Sequence, residues 1–94
     1  REQPLGDGEH LIGRDPDVAI SLRSPTVSRH HAKIVVTGGF ALLEDLGSKN
    51  GTSVRGQVVT SAVELIDGDR IRIGAFELTY RSLSGVGSTE TQPR

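Results

Sequence analysis

Ala32-Lys33-Ile34-Val35-Val36-Thr37-Gly38-Gly39-Phe40-Ala41-Leu42-Leu43-Glu44-Asp45 is the stretch that decides the fold. Two apolar, extended arms flank Gly38-Gly39, a dipeptide that accepts positive φ at both central positions of a two-residue hairpin turn. An antiparallel hairpin brings the chain that enters it and the chain that leaves it to one end of the sheet. Here the entering chain is Ser28-Arg29-His30-His31 and the leaving chain is Gly47-Ser48-Lys49-Asn50-Gly51-Thr52. Hydroxyl, guanidinium, ammonium and amide donors gather at that end, a set suited to holding an anion.

Outward from this hairpin the same grammar repeats. Short strand patterns occur at His10–Gly13, Ala19–Leu22, His31–Thr37, Phe40–Asp45, Thr52–Val54, Val58–Val59, Val63–Leu65, Arg70–Ile73 and Phe76–Arg81. Gly74-Ala75 joins the last two as a second hairpin, in which Ile71 and Ile73 point one way while Arg70 and Arg72 point the other. No window keeps apolar residues at helical spacing, and twelve glycines punctuate the chain, so the fold class is all-β, a sandwich or barrel. Residues 1–81 form the expected domain. Residues 82–94, poor in anything to bury, read as a flexible C-terminal tail or linker.

Ninety-four residues support one domain. Apolar residues make up 34% of the chain and the aromatics are Phe40, Phe76 and Tyr80, so the core is assembled from Val, Ile, Leu and Ala. Cysteine is absent, which rules out disulfides and thiolate zinc sites and fits a reducing, cytoplasmic compartment. The apolar runs are too short for a membrane-spanning helix, and Arg1-Glu2-Gln3-Pro4 does not resemble a signal peptide. The start on Arg1 without Met reads as an excised domain.

A net charge of −1 argues against a general polyanion-binding surface. Between Arg14 and Arg55, however, six basic residues face four acidic ones (Asp15, Asp17, Glu44 and Asp45), so the implied ligand is small and anionic. Near-neutral charge and few aromatics argue against direct nucleic-acid contact.

Taken singly, each motif has a plain reading beside the functional one. Arg14, next to Gly13 at a strand end, is either a solvated charge or an anion ligand. The hydroxyls of Ser24, Thr26 and Ser28 either cap local backbone or build an anion-binding nest beside Arg29. Asn50-Gly51 either supplies turn geometry or a ligand amide. The adjacent histidines do not make a metal site, since His30 and His31 point to opposite faces of a strand and His10 is distant. Ser28 sits in no nucleophile elbow, and the glycine loop at 47–51 lacks Walker spacing and a following helix, so no catalytic site and no cofactor are expected. Thr91-Gln92 reads as an incidental tail dipeptide or a kinase site. The loops holding Arg14 and Ser28 flank one short strand and nominally leave its opposite ends, so spacing alone does not bring them together.

Gly13-Arg14, Ser28-Arg29-His30-His31-Ala32, Leu46-Gly47-Ser48-Lys49-Asn50-Gly51-Thr52 and Leu65-Ile66-Asp67-Gly68-Asp69-Arg70-Ile71-Arg72-Ile73-Gly74 occur in this order. Together, over roughly residues 5–81, they resemble the forkhead-associated (FHA) domain, in the style of its bacterial members. The resemblance implies an eleven-stranded antiparallel β-sandwich of the FHA/SMAD-like type that is not an enzyme. It also implies that the sandwich reads phosphothreonine in a partner protein or peptide, or in a phosphorylated segment of its own parent, as the sensor of a signalling or transcription-regulating protein. By this likeness Arg14 pairs with phosphate oxygens, Ser28 donates its hydroxyl to the phosphate, and Asn50 holds the peptide backbone. Arg29, Ser48 and Lys49 occupy positions where the family varies and are expected to add contacts. Gly13, His31 and Gly51 support the loops, His31 by a hydrogen bond between them. The family's first strand should precede Leu5, and residues 1–4 offer little of it. The rival reading is an FHA-like structural or oligomerisation sandwich without phosphopeptide binding.

Overall fold

Alternation of apolar and polar residues gives each strand one face to bury, and two sheets bury those faces against each other. The computed structural model describes residues 2–83 and 86–93. Its strands are β1 (Glu2–Leu5), β2 (Gly8–Gly13), β3 (Ile20–Ser21), β4 (Ala32–Thr37), β5 (Phe40–Asp45) and β6 (Thr52–Val54), followed by β7 (Gln57–Val58), β8 (Val63–Glu64), β9 (Arg70–Ile73), β10 (Phe76–Leu83) and β11 (Val86–Pro93). One sheet runs β1-β11-β10-β9-β6-β7 and the other β3-β2-β4-β5-β8. The expected all-β sandwich is what forms.

The two hairpins take the expected registers. Thr37 faces Phe40 across Gly38 and Gly39, whose φ angles are 54° and 87°, and Ile73 faces Phe76 across Gly74 at φ 55°. Ala32, Ile34 and Val36 of β4, Ala41 and Leu43 of β5 and Ile71 and Ile73 of β9 are buried, while Arg70 and Arg72 face outward. Ile12, Leu5 and Leu78 complete the centre. Burying one such large aliphatic side chain contributes about 1.5–3 kcal/mol. A turn at Ile66–Asp69 is tied to β10 by the Gly68 N–H to the Tyr80 carbonyl at 2.7 Å and the Tyr80 N–H to the Asp69 carbonyl at 2.8 Å. The Asp69 carboxylate beneath it accepts from Arg55 and from the Ile66 N–H.

Two expectations are corrected. The stretch expected as a tail over 82–94 instead continues β10 to Leu83 and forms β11, which pairs with β10 on one side and β1 on the other; Ser84, Gly85 and Arg94 lie outside the described residues. Its Ser, Thr and Gly composition hides the strand, because what orders it is main-chain pairing on both edges. Residues 2–5 likewise form a strand, where the sequence suggested little of one. Pro4 fits there because β1 is an edge strand that needs no donor from it.

The topology also brings the Arg14 and Ser28 loops together. β3 pairs parallel with the end of β2, Ile12 facing Ile20 and Gly13 facing Ser21. Residues 14–19 therefore loop back, and the chain leaves both strands at the same end.

Candidate anion-binding loop cluster

Three loops meet at that end: the chain after Gly13, residues 22–31, and residues 46–51. Gly13 sets the first approach. A Cβ there would lie 1.9 Å from the carbonyl oxygen of Arg29, so only glycine lets the two backbones touch. Across the contact the Arg14 N–H donates to the Ser28 carbonyl at 3.0 Å and the Asp15 N–H to the Arg29 carbonyl at 3.3 Å.

The Arg14 side chain is exposed and anchored at one point, Nε donating to the Val27 carbonyl at 3.1 Å. Its two Nη groups keep the planar face of the fork for a ligand. The Ser28 Oγ accepts from the Lys49 N–H at 3.0 Å. Since that oxygen is an acceptor in this bond, the hydroxyl proton is left to donate to an incoming oxygen.

His31 is completely buried. Its Nδ1 accepts from the Ser28 N–H at 3.0 Å and its Nε2 lies 2.8 Å from the Gly51 carbonyl. The first bond requires a bare Nδ1, so the proton is on Nε2 and is donated to Gly51. One neutral imidazole thus bridges the loop before β4 to the loop after β5.

Residues 46–51 are braced from within by Asp45, which the sequence reading passed over. Its carboxylate accepts from the N–H groups of Gly47 and Ser48, both at 3.0 Å, and from the hydroxyls of Ser48 and Thr52. Burial pushes this carboxyl up, and those hydrogen bonds more than reverse it, so it titrates below the usual aspartate value. The signal available in the sequence was Asp45-Leu46-Gly47-Ser48, an aspartate ahead of a glycine turn. Gly47 and Gly51 adopt φ 72° and 82° to close the loop.

Ser48 is engaged within its own loop. Its hydroxyl donates to Asp45 and accepts from the Gly51 N–H at 2.9 Å, so both of its capacities are used inside the loop. Lys49 and Asn50 are exposed. The Asn50 Nδ2 donates to the Thr26 carbonyl at 2.8 Å, which leaves Oδ1 facing outward for an acceptor role.

Thr26 is the second unforeseen brace. Its Oγ1 accepts from the Ala75 N–H at 2.9 Å and shares a hydrogen bond with the Ser24 Oγ. A Cβ on Gly74 would meet that same Oγ1 at 2.5 Å. Ser24, whose Oγ accepts from the Thr26 N–H at 3.2 Å, follows the local capping reading, Thr26 caps the backbone of a distant hairpin, and the Ser28 Oγ accepts from Lys49. Beside Asn50 lies a cavity of about 460 Å³ lined by Thr26, Thr52, Val58, Arg72 and Ala75. Arg29 lies on the far side, sharing a separate cleft with Arg14.

Known proteins share both the sequence and the fold of this chain. The sequence profile of the FHA domain matches residues 10–74. The transcriptional regulatory protein EmbR of Mycobacterium tuberculosis is 46% identical over 85 residues, 90% of this chain and 22% of its own length. The glycogen accumulation regulator GarA of Mycolicibacterium smegmatis is 47% identical over 68 residues, 72% of this chain and 42% of its length. This chain therefore spans about a fifth of the EmbR regulators it matches. Among solved structures, M. tuberculosis EmbR in complex with a low-affinity phosphopeptide superposes with a TM-score of 0.82 at 46% identity, covering 87% of this chain and 22% of that one. The FhaA FHA domain complexed with the intracellular domain of Rv3910 gives 0.72 at 35% identity, covering 94% and 84%. With the profile matched across most of its length and relatives this similar, the chain belongs to the FHA domain family.

Proposed function

We propose that this chain is a phosphothreonine-peptide reader, the recruiting module of a larger mycobacterial-type signalling or regulatory protein, with its ligand held by Arg14, Ser28 and Asn50. The observation that carries the reading is the convergence of one half-free guanidinium, one hydroxyl with a proton to give and one amide oxygen on a rigid set of loops. A phosphate near −2 offers three strong acceptors, and a fork, a hydroxyl and backbone donors satisfy them without a broad basic surface. Arg29 and Lys49 stand at the margin as further cationic contacts, and Ser48 shapes the loop. Gly13, His31 and Gly51 hold the geometry. The chemistry is recognition: the Ser28 hydroxyl oxygen accepts from the Lys49 N–H, and the imidazole next to it, His31, is committed to the Ser28 N–H and the Gly51 carbonyl.

The EmbR relative carries a phosphopeptide and the FhaA FHA domain is seen with a partner protein, which supports the same class of ligand here. Calorimetric titration of a phosphothreonine peptide, its unphosphorylated twin and the Arg14→Ala variant tests the reading. Binding of the phosphorylated peptide alone, weakened at least about tenfold by Arg14→Ala, is the expected result. Equal affinity for both peptides would instead favour a structural or oligomerisation sandwich.

A further inference from the structure

The phosphothreonine reading uses one side of Arg14. On the other side is a cleft of about 620 Å³ whose lining includes Arg14, Arg23 and Arg29 together with Asp15, Ser24 and Pro25. Three guanidiniums face one carboxylate there. Among the described residues no ion pair engages Arg14, Arg23 or Arg29. Asp15 is already occupied: its Oδ1 accepts from the Asp17 N–H at 2.9 Å, and its Oδ2 lies 3.5 Å from the His30 Nε2. The charge of Arg29 also acts on Asp15, which leaves one carboxylate against three guanidiniums in this cleft of a chain whose net charge is −1. Guanidiniums so placed favour bidentate pairing with phosphate or carboxylate.

The wall between this cleft and the Asn50 cavity is the segment Ser24-Pro25-Thr26. That wall is rigid, since the Val27 N–H donates to the Ser24 carbonyl at 3.0 Å and Thr26 is tied to both Asn50 and Ala75. Arg14 lines the arginine cleft and Asn50 lines the cavity beyond the wall, so a peptide that crosses the wall with its phosphate at Arg14 would run from one to the other. Arg14 belongs to both sites, so the two are contiguous.

We infer that the cleft lined by Arg14, Arg23 and Arg29 is a second anion subsite, which takes a second negatively charged group, phosphate or carboxylate, on one flank of the same phosphothreonine peptide. This rests on the reading of Arg14 and Ser28 as the primary site. It assigns Arg23 a specificity role that the primary site does not require. The preferred ligand is then a multiply phosphorylated or acid-flanked segment.

The test uses the whole 94-residue chain and the tightest-binding phosphothreonine peptide from an oriented library, resynthesised with a second phosphothreonine, or a glutamate, at successive positions on either flank. Affinities are measured by fluorescence anisotropy for the wild type and Arg23→Gln. A second phosphate on one flank only should tighten binding about fivefold, the scale of one or two solvent-exposed charge pairs. Arg23→Gln should erase that gain and leave the singly phosphorylated peptide within about twofold. A gain from glutamate equal to that from phosphate identifies the source as an acidic flank, and a gain from phosphate alone identifies it as a second phosphorylated residue. No gain at any position, a gain that survives Arg23→Gln, or equal weakening of singly and doubly charged peptides overturns the subsite. Failure of the primary reading looks different: no singly phosphorylated peptide then outbinds its unphosphorylated twin.

Discussion

The Nε2 of His31 lies 2.8 Å from the carbonyl oxygen of Gly51 while the Nδ1 of the same ring accepts the Ser28 N–H. One fully buried side chain thereby sets the separation of the hydroxyl loop from the amide loop. Replacing it with alanine leaves a cavity, an orphaned N–H and an orphaned carbonyl. His31→Ala should cost about 2–4 kcal/mol in urea unfolding and abolish phosphopeptide binding, whereas exposed His30→Ala should change stability by less than about 0.5 kcal/mol.

Arg14 is fixed through Nε, so in the proposed site its recognition end is the remaining fork. Lysine keeps the charge but has neither the Nε–H that bonds Val27 nor two parallel donors. Arg14→Lys should lose about tenfold in phosphopeptide affinity with unchanged thermal stability, measurable by calorimetry and a melting curve.

Asp45 holds residues 47–52 from below, and its carboxyl titrates lower in the folded chain than in the unfolded one. The stabilisation it provides is therefore present above the ordinary aspartate pKa of about 4 and is lost as pH falls through the depressed folded value. Asp45→Asn should be about 1–2 kcal/mol less stable at pH 7, and its stability should decline less steeply than the wild type's between about pH 5 and 2. Parallel acid limbs in chemical denaturation would contradict this.

Gly13 and Gly74 face close backbone from opposite sides of the 22–31 loop. Gly13→Ala places a methyl against the Arg29 carbonyl, and Gly74→Ala places one against Thr26 at a positive φ. Each should destabilise by more than about 1 kcal/mol and weaken phosphopeptide binding. Gly6→Ala, where the added methyl meets nothing within 4 Å, serves as the neutral control.

β11 lies between β1 and β10, pairing with Glu2–Leu5 on one side and Phe76–Leu83 on the other. Deleting residues 84–94 leaves β1 without a partner and β10 with one long unpaired edge. The truncated chain should lose its cooperative thermal transition, or aggregate, in circular dichroism and light scattering; an unaltered melt would restore the reading of this segment as a tail.

The hairpins were legible because Gly38-Gly39 and Gly74-Ala75 are local turn chemistry, and alternation along β4 and β9 states which face is buried. The His31 bridge was legible because its place matches a family signature, and the proposed ligand roles of Arg14, Ser28 and Asn50 come from that same signature. The Asp45 brace is local and its aspartate-before-glycine-turn signal was passed over, whereas the bond of Thr26 to the Ala75 N–H joins segments 49 residues apart and leaves no mark on residue type. Strand β11 escaped for a related reason. Its order comes from hydrogen bonds to two neighbouring strands, and a Ser/Thr/Gly composition suits a strand or a linker equally.

What the sequence by itself determined is therefore the class of the fold, the ends of the central hairpin and the chemical types brought there. Those depend on φ preference, side-chain periodicity and antiparallel geometry, all of which act over a few residues. Only the tertiary structure decided that the Arg14 loop joins the others, because that required β3 to pair parallel to β2 and Gly13 to touch the Arg29 backbone. Contacts between segments distant along the chain depend on the shape of the assembled sandwich, and no short-range pattern encodes that shape.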